Sequence, residues 1–435
     1  MIQTIDLRGL RPTRAELTRL IPRAAVGVDV ATQAAAALIT DVRERGSAAL
    51  RDQAERFDRV IPPRGRISQD TIDAAVAGLP QAERRALEEA IDRVRAASRA
   101  QLPREAVTDF GSGAQVRQRW QPVGRVGLYV PGGKAVYPSS VVMNVVPAQV
   151  AGVGSIVLVS PPQADAQGGV HPTILGAAGL LGVTEVYAMG GAGAIGALAY
   201  GVADIGLDPV DLITGPGNVY VAAAKRLVRG EVGIDAEAGP TEILVIADSS
   251  ANPRYVAADL ISQAEHDELA SSVLVTDSAE LVDAVSAELA LLAPMTVHAA
   301  RVTAALAGPQ SAIILVDDLE TAARVCNVYG PEHLELQTRD PEAALCLIDN
   351  AGAIFLGAYA PVSLGDYLAG SNHVLPTAGQ SRFGAGLGVM SFLRSQQVVA
   401  YSREGLAAVV PYIRDLSDAE GLPAHGDAVD IRFDR

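Results

Sequence analysis

The sequence is poor in aromatic and basic residues and has almost no cysteine. Phe, Trp and Tyr make up 4% of the 435 residues, and 35 Lys and Arg stand against 50 Asp and Glu. The formal net charge of −15 disfavours a surface for nucleic acid or for an anionic membrane, so we expect neither partner. The two cysteines, Cys326 and Cys346, have no paired spacing. Disulfide bonds are therefore not expected, and a cytoplasmic location fits.

Long apolar runs and targeting signals are also missing. No apolar stretch approaches the roughly 20 residues that span a bilayer, and the first residues do not have the pattern of a signal peptide. The chain is instead rich in Ala, Val, Leu and Gly, with hydrophobic residues at 49%. This composition favours a globular α/β protein with close packing of helices on sheets, and the length allows two or three domains.

Hydrophobic patterns divide the chain into four parts. Residues 1–110 have apolar side chains at helical spacing and predict an N-terminal helical region. In 111–238 and again in 239–380, short apolar strands alternate with helical patterns. This alternation predicts an α/β fold with two successive doubly wound, Rossmann-like parallel-sheet units of four strands each. Residues 381–435 predict a C-terminal tail, with a helix expected over 395–415.

Glycine-rich turns follow three predicted strands of the first α/β unit, around Gly132, Gly190 and Gly215. A turn that leads from a parallel strand into a helix is where nucleotides and phosphates bind. Residues 191–196 also match G-x-G-x-x-G, but that fingerprint belongs after the first strand and needs an acidic residue about 20 positions later. Asp211 opens a strand instead, so close packing of small residues explains this match equally well.

Side chains that suit metal or acid–base chemistry collect in the second half of the chain. Gln263 and His266 are three positions apart in a helix predicted over 253–270, which would place them on one face. The Glu332-His333 dipeptide suits acid–base chemistry near neutral pH. The alternative for the first pair is a solvated acidic helix face. The alternative for the second is a polar strand start.

More oxygen and imidazole donors lie towards the C-terminus. Asp366 and His373 belong to a glycine-rich loop, and Glu420 and His425 belong to the tail. Such donors, with no cysteine among them, suit a catalytic Zn²⁺ or Mn²⁺ site with open positions. No spacing among them is a standard zinc motif, so the residues alone leave both a metal site and scattered polar side chains open.

Taken together, these segments resemble the histidinol dehydrogenase family along essentially the whole chain. The matching runs are 125–133, 138–152, 215–218, 239–248, 259–267, 331–334, 365–376 and 421–425. The resemblance implies a homodimer of interlocked subunits with shared active sites. It also implies that Zn²⁺ (with Mn²⁺ as the alternative) and two NAD⁺ serve to oxidise L-histidinol, through L-histidinaldehyde, to L-histidine at the end of histidine biosynthesis.

The resemblance implies roles for individual residues. The implied zinc ligands are Gln263, His266, Asp366 and His425. The implied acid–base pair is Glu332 and His333. The implied substrate contacts are Thr241, Gln263, His266, His333, Asp366, Glu420 and His425, with His373 close by. The implied NAD contacts are Tyr129 and Asn218, and a third NAD position is occupied by Gly193.

Two positions depart from the family pattern. Gly193 stands where the family usually has a glutamine that contacts NAD, and glycine cannot supply the hydrogen bonds of that side chain. Thr241 stands where some members have serine, so the hydroxyl group is kept. In the implied reaction, His333 takes the alcohol proton and Glu332 activates the water that hydrates the aldehyde.

Other functions fit parts of the pattern. A related zinc and NAD dehydrogenase could act on another amino alcohol or on a hydroxy-sulfonate with the same scaffold. A zinc hydrolase with Glu332 as base is a different class, which the paired α/β units and the glycine turns disfavour. A non-catalytic metal-binding protein would make the Glu332-His333 pair a coincidence.

Overall fold

The computed structural model describes residues 2–24, 28–132, 136–237 and 239–433, with the side chains of 28–30 left out. Gly133, in the first predicted glycine turn, lies outside the described residues. The chain separates into a larger unit of residues 1–101 and 124–392, and a smaller unit of residues 102–123 and 393–435. The four-part division of the sequence stays a prediction.

The described residues form fourteen β-strands and seventeen α-helices. The strands are β1 (Gln3–Asp6), β2 (Ala106–Gly111), β3 (Ala114–Pro122), β4 (Arg125–Tyr129), β5 (Ser155–Ser160), β6 (Glu185–Ala188), β7 (Leu212–Thr214), β8 (Gly233–Ile234), β9 (Glu242–Ala247), β10 (Ser271–Thr276), β11 (Ala312–Leu315), β12 (His333–Gln337), β13 (Ala353–Leu356) and β14 (Leu393–Tyr401). The helices are α1 (Arg14–Leu20), α2 (Val28–Arg45), α3 (Ser47–Phe57), α4 (Gln69–Gly78), α5 (Gln81–Ala100), α6 (Pro138–Ala151), α7 (Pro172–Leu180), α8 (Gly191–Tyr200), α9 (Val219–Val228), α10 (Pro253–Ala264), α11 (Ala279–Leu292), α12 (Ala299–Ala307), α13 (Leu319–Tyr329), α14 (Pro341–Leu345), α15 (Val362–Tyr367), α16 (Arg403–Ala419) and α17 (Pro423–Asp430).

The larger unit contains two parallel sheets, which confirms the predicted α/β class with two successive doubly wound units. The first sheet has the strand order β6-β5-β4-β7-β8, and the second has the order β1-β11-β10-β9-β12-β13. The central strands are largely apolar and buried, as expected for parallel sheets that are covered by helices on both faces; they are β4, β5, β7, β9, β10 and β11. The edge strands β1 and β8 are exposed or half-buried. The sheets have five and six described strands, whereas four were predicted for each.

Two strands of the second sheet were not predicted. β1 comes from the N-terminal region that was expected to be helical, and it pairs in parallel with β11, Gln3 opposite Ala312. β12 starts at the polar His333 and pairs with β9 and β13. A strand of four or five residues with polar side chains is too short for its alternating pattern to be recognised. Its pairing with a distant strand decides its structure.

The N-terminal helices pack beside the first sheet. Helix α2 contacts α8 and α9, α4 contacts α7, and α5 contacts α6. The α2 side chains at helical spacing, Ala35, Ile39 and Val42, join the core formed by this sheet and its helices. Burying Ile39 and Val42 each stabilises the packing by roughly 1.5–3 kcal/mol.

The smaller unit has an antiparallel sheet, in the order β14-β3-β2, and the helices α16 and α17. The prediction of a helix from 395 was wrong, because 393–401 form β14, paired along its length with β3. Helix α16 begins only after Ser402, whose hydroxyl caps it by accepting from the Gly405 amide at 3.0 Å. In the described ranges, no helix is long and apolar enough to cross a membrane.

Candidate active site

A cavity of about 1190 Å³ lies in the larger unit. Its wall includes the turns that follow the strands of the first sheet, at Gly191 and Gly215, and residues at the amino ends of strands in the second sheet. The cavity brings together most of the predicted site residues, namely Tyr129, Asn218, Thr241, His266, Glu332, His333, Asp366 and His373. The predicted nucleotide side and the predicted metal side therefore share one space.

A short chain of hydrogen bonds fixes Glu332, which is 6% exposed. The Thr241 hydroxyl donates to Glu332 Oε2 at 2.6 Å, and the backbone amide of Glu242 donates to the same oxygen at 2.9 Å. The Gln263 Nε2 group in turn donates to the Thr241 hydroxyl oxygen at 2.7 Å. One carboxylate oxygen is thus held firmly, and the orientation of the Gln263 carboxamide is set.

Burial dominates the protonation of Glu332. It raises the pKa of this carboxyl to about 8, against the hydrogen bonds from Thr241 and Glu242, which favour the ionised form. The Asp366 carboxylate raises the pKa of Glu332 further. A carboxyl group with a pKa in this range can hold or release a proton near neutral pH, as a general acid or base must.

The imidazole of His333 is oriented by the main chain. Its Nδ1 lies 3.2 Å from the carbonyl oxygen of Glu242 and 3.6 Å from Glu332 Oε2. Because a carbonyl oxygen only accepts, Nδ1 carries the proton and Nε2 of the neutral ring is the free acceptor. Burial lowers the pKa of His333, which favours this neutral form, although the Asp366 carboxylate acts in the opposite direction.

The side-chain oxygen of Gln263, a predicted metal ligand, is available to bind a cation. The side chain is 1% exposed at the end of α10, and among the described residues its Oε1 has no hydrogen-bond partner. A buried amide oxygen without a partner costs roughly 1–3 kcal/mol. A bound cation would satisfy this oxygen, so the residues present fit a metal ion.

His266 lies beyond the helix on which it was predicted. Helix α10 ends at Ala264 with Glu265 as its C-cap, so His266 follows in a turn and does not share a helix face with Gln263. The Asp267 carboxylate accepts from the Leu269 amide at 3.0 Å, a local bond that competes with helix continuation. Burial lowers the pKa of His266, and the neutral imidazole is the form that binds metals.

No group of three or more His, Cys, Asp or Glu side chains among the described residues is arranged to hold a metal ion. The predicted ligand set is consistent with this result. Of its members, Gln263 is an amide and His425 belongs to the smaller unit. Only His266 and Asp366 are acidic or imidazole ligands of the larger unit. Glu420, the C-cap of α16, and His425, in α17, are both exposed in the smaller unit, and their roles stay predictions.

Asp366 was predicted in a glycine-rich loop, but it lies in helix α15, and His373 in the segment after this helix contacts it. Its Nδ1 lies 2.9 Å from the Asp366 carbonyl oxygen, and its Nε2 lies 3.2 Å from the Ser140 hydroxyl on α6. Both ring nitrogens therefore have protein partners. His373 thus ties the segment after α15 to that helix, and the Asp366 carboxylate acts on the neighbouring imidazoles.

The predicted NAD contacts, Tyr129 and Asn218, are held by backbone hydrogen bonds. The hydroxyl oxygen of Tyr129 accepts from the Gly191 amide at 3.2 Å, and burial raises the pKa of Tyr129 to about 12. Asn218 caps α9, its side-chain oxygen accepting from the amides of Tyr220 and Val221 at 3.0 and 3.1 Å. The amide nitrogen of Asn218 is not needed for this cap, which fits the predicted contact with a cofactor.

A buried ion pair that lines the cavity was missed by sequence reasoning. Lys225 contacts Asp235, and the pair holds both sides of Gly215: the Gly215 amide donates to Asp235 at 2.8 Å, and Lys225 donates to the Gly215 carbonyl at 3.0 Å. Gly215 has φ +111°, and a Cβ there would lie 2.0 Å from the Tyr129 carbonyl oxygen. In the sequence, this pair was indicated only by a lysine, Lys225, on the apolar face of a predicted helix.

Gln53 is a second missed residue of the cavity wall. Its carboxamide packs against the Cα of Gly193, where a Cβ would lie 2.1 Å from Gln53 Oε1. The Gln53 Nε2 group donates to the Leu38 carbonyl oxygen at 3.1 Å, which fixes the side chain there. The glycine in α8 thus makes room for a carboxamide from α3.

Gly193→Ala is expected to be about 1 kcal/mol less stable than a Gly→Ala change at an open helical position, because overpacking offsets the gain in helix propensity. The new methyl group would displace the Gln53 carboxamide, and Gln53→Ala in the same chain should recover part of the loss. Denaturant unfolding measures both effects. Gly78→Ala is the matched control, because a Cβ in that helix meets nothing within 4 Å. Equal changes in stability for Gly193→Ala and Gly78→Ala would contradict the observed packing.

Comparison with known proteins gives one consistent result. A family model described as histidinol dehydrogenase matches residues 21–433. The chain is 67% identical over 433 residues to the histidinol dehydrogenase of Leifsonia xyli subsp. xyli, covering 100% of this chain and 99% of that protein. It is 56% identical over 438 residues to the enzyme of that name from Mycobacterium tuberculosis H37Rv, covering 100% and 99%. The crystal structure of histidinol dehydrogenase from Elizabethkingia anophelis has a TM-score of 0.93 at 33% identity, covering 100% of this chain and 98% of that one.

Proposed function

The chain belongs to the histidinol dehydrogenase family of oxidoreductases, and from this premise we propose that it uses Zn²⁺ and two NAD⁺ to oxidise L-histidinol to L-histidine. Mn²⁺ is the alternative metal. The observation that carries the proposal is the buried junction of Thr241, Glu332 and His333, beside an amide oxygen of Gln263 that has no partner among the described residues. This junction places an acid–base pair next to a donor for a cation.

The bound groups supply two functions that side chains do not. Zn²⁺ would polarise and orient the substrate, and NAD⁺ would accept one hydride in each oxidation. Within the larger unit, Gln263, His266 and Asp366 are the residues that would hold the metal. Tyr129 and Asn218 line the end of the cavity where we place NAD⁺.

In the first oxidation, His333 takes the proton of the alcohol as hydride leaves its carbon. Its Nε2 is the acceptor, because Nδ1 is engaged with the Glu242 carbonyl oxygen. The product of this step is the aldehyde. Burial of His333 keeps the ring neutral before the proton arrives, and the nearby Asp366 carboxylate stabilises the cation that forms.

In the second oxidation, Glu332 removes a proton from water as the water adds to the aldehyde. The resulting anion of the diol, with one hydroxyl and one alkoxide oxygen, gives up its hydride and becomes the carboxylic acid; a second NAD⁺ would accept that hydride. Thr241 and the amide of Glu242 hold one carboxylate oxygen, so the other is free to face the water. The proton that Glu332 gains has a stable place, because burial raises its pKa to about 8.

We propose that two chains assemble as a cytoplasmic homodimer and that each site is completed by Glu420 and His425 from the tail of the other chain. Both residues are exposed in the smaller unit, which supports a role outside their own unit's core. Glu420 would contact the substrate, and His425 would be both a substrate contact and the fourth metal ligand.

The proposal is tested by following NADH production from L-histidinol with and without a chelator. We expect two NADH for each L-histidine formed, loss of turnover with the chelator and recovery with added Zn²⁺. Two amino alcohols without an imidazole, and a hydroxy-sulfonate, test the alternative dehydrogenase. An ester substrate tests the hydrolase. Faster turnover of any of these than of L-histidinol would replace the proposal.

In a plot of the rate of the second oxidation against pH, Thr241→Val is expected to move the fall in rate on the acid side to higher pH. As a base, Glu332 acts only when ionised, so activity falls as the pH falls through its pKa. The Thr241 hydrogen bond lowers that pKa, and its loss should raise it by roughly one unit or more, since hydrogen bonds to charged groups contribute about 1.5–3 kcal/mol. Rates with histidinaldehyde against pH measure the shift. Thr241→Ser keeps the hydroxyl and should leave this fall in rate at its wild-type pH, so a shift in that control would assign the effect elsewhere.

A further inference from the structure

A row of polar side chains crosses the apolar core behind the metal-binding residues. His333, Glu335 and Gln337 alternate along one face of β12, while Leu334 and Leu336 on the other face belong to a hydrophobic core. Glu335 is 1% exposed. It stands between Val245 on β9 and Phe355 on β13, which both belong to the hydrophobic core on that side. A carboxyl group in such a place costs several kcal/mol unless it is well paired.

Glu335 is paired with two other buried or half-buried side chains. The Gln337 Nε2 group donates to Glu335 Oε2 at 2.9 Å and to Asp259 Oδ2 on α10 at 3.0 Å. The two carboxyl groups thus accept from the same amide nitrogen. Burial raises the pKa of both, and the Asp259 charge raises the pKa of Glu335 further, which favours a proton on the pair.

The second oxygen of Glu335 reaches a different helix. The backbone amide of Val362, the first residue of α15, donates to Glu335 Oε1 at 2.9 Å. The N-cap residue of this helix, Pro361, makes no side-chain cap. Glu335 therefore supplies from β12 the acceptor that the first turn of α15 lacks.

The two helices that this cluster joins carry metal-binding residues one turn further on. Asp259 precedes Gln263 by four positions on α10, and Val362 precedes Asp366 by four positions on α15. In a helix, residues four apart lie on the same side. A shift of Asp259 would therefore move Gln263, and a shift of Val362 would move Asp366.

We propose that Asp259, Glu335 and Gln337 form a positioning cluster that sets the places of Gln263 and Asp366 for the metal ion. The inference rests on the proposed function, because it takes these two residues as ligands. Partners behind the ligands of a metal site typically change its affinity 10–100-fold when they are removed. None of the three touches the metal; they act through α10 and α15.

The test measures Zn²⁺ affinity of the full-length protein by competition with a chelating indicator. Glu335→Leu should weaken Zn²⁺ binding about 10–100-fold, because it removes the acceptor for Val362 and the partner of Asp259. Asp259→Ala, at a half-buried position that is less enclosed than Glu335, should weaken it too. Glu335→Gln keeps an oxygen for Val362 but loses the acceptor for the Gln337 amide, so it should weaken Zn²⁺ binding less than Glu335→Leu does.

Gln149→Leu is the control for general destabilisation, since it removes a carboxamide hydrogen bond to Leu181 beside the first sheet. It should leave Zn²⁺ affinity unchanged, and unfolding curves compare the stability of all variants. Wild-type affinity in Asp259→Ala and in folded Glu335→Leu would overturn the positioning role while leaving the proposed function intact. A wild-type protein that neither binds Zn²⁺ nor makes NADH would overturn the proposed function itself.

Discussion

Replacing His266 with asparagine is expected to remove the metal ion and turnover together. Structural zinc sites with four ligands have apparent binding free energies of about 10–16 kcal/mol, so one ligand accounts for roughly a quarter of that value. At about 1.4 kcal/mol per factor of ten, a loss of about 2.5–4 kcal/mol weakens the affinity roughly 60–700-fold. Asparagine fills less of the half-buried position and offers an amide oxygen that does not reach as far as an imidazole nitrogen.

The structure around His266 indicates that His266→Asn should lose the metal ion without unfolding. His266 lies in a turn after α10, and its backbone amide, which substitution keeps, donates to the Gln263 carbonyl oxygen at 3.3 Å. The fold should therefore survive, and thermal unfolding of the metal-free protein should match the wild type. His298→Asn is the matched control, because this histidine is exposed and its side chain makes no cap hydrogen bond.

Metal analysis of the purified variants and NADH production with added Zn²⁺ measure the two losses. A full complement of zinc in His266→Asn would remove this residue from the ligand set, whatever happens to activity. Zinc loss with normal turnover would instead remove the metal from the reaction. Partial recovery of turnover at high Zn²⁺ concentration is the expected intermediate result.

The sequence was sufficient for the features that depend on local pattern. The parallel sheets were predictable because short apolar runs such as β9 alternate with helical patterns. The Glu332-His333 pair was visible because its members are adjacent, and the structure places both in one cavity with Thr241. The glycine turn at Gly215 was visible because the composition of a tight turn is itself local.

The features that sequence reasoning missed depend on contacts between distant segments. Gln53 reaches Gly193 only because α3 packs near α8, and nothing in either helix indicates this contact. Nothing in the sequence distinguishes Glu335 and Asp259 from other acidic residues, because they meet only where β12 packs against α10. The boundary of α10 before His266 was also missed, because the turn bond of Asp267 competes with a helix whose composition would allow it to continue.

Replacing Glu332 with glutamine is expected to block the second oxidation while the first continues. Glutamine has the shape of glutamate, and its carbonyl oxygen can accept the hydrogen bonds from Thr241 and the Glu242 amide. The other end of the side chain becomes an NH₂ group, which cannot take a proton from water. General base catalysis contributes typically 10²–10⁴-fold, so the second step should slow by about that factor.

The first oxidation has a different proton acceptor, so it should change much less. His333 keeps its bond to the Glu242 carbonyl oxygen in Glu332→Gln, and its Nε2 stays the free acceptor. Rapid mixing with L-histidinol should show about one NADH per site formed quickly, followed by a slow phase, and an aldehyde-trapping reagent should recover histidinaldehyde. The wild type should show two NADH per site without trapped aldehyde.

Replacing His333 with glutamine should affect the other oxidation step. His333→Gln removes the acceptor for the alcohol proton and should slow the oxidation of L-histidinol, while histidinaldehyde supplied directly is still hydrated with the help of Glu332. The two variants together therefore separate the two steps by their preferred substrate. Equal losses on L-histidinol and histidinaldehyde in Glu332→Gln would mean that Glu332 serves both oxidations, because the hydrogen-bonded junction with Thr241 and His333 would then act as one proton-transfer unit.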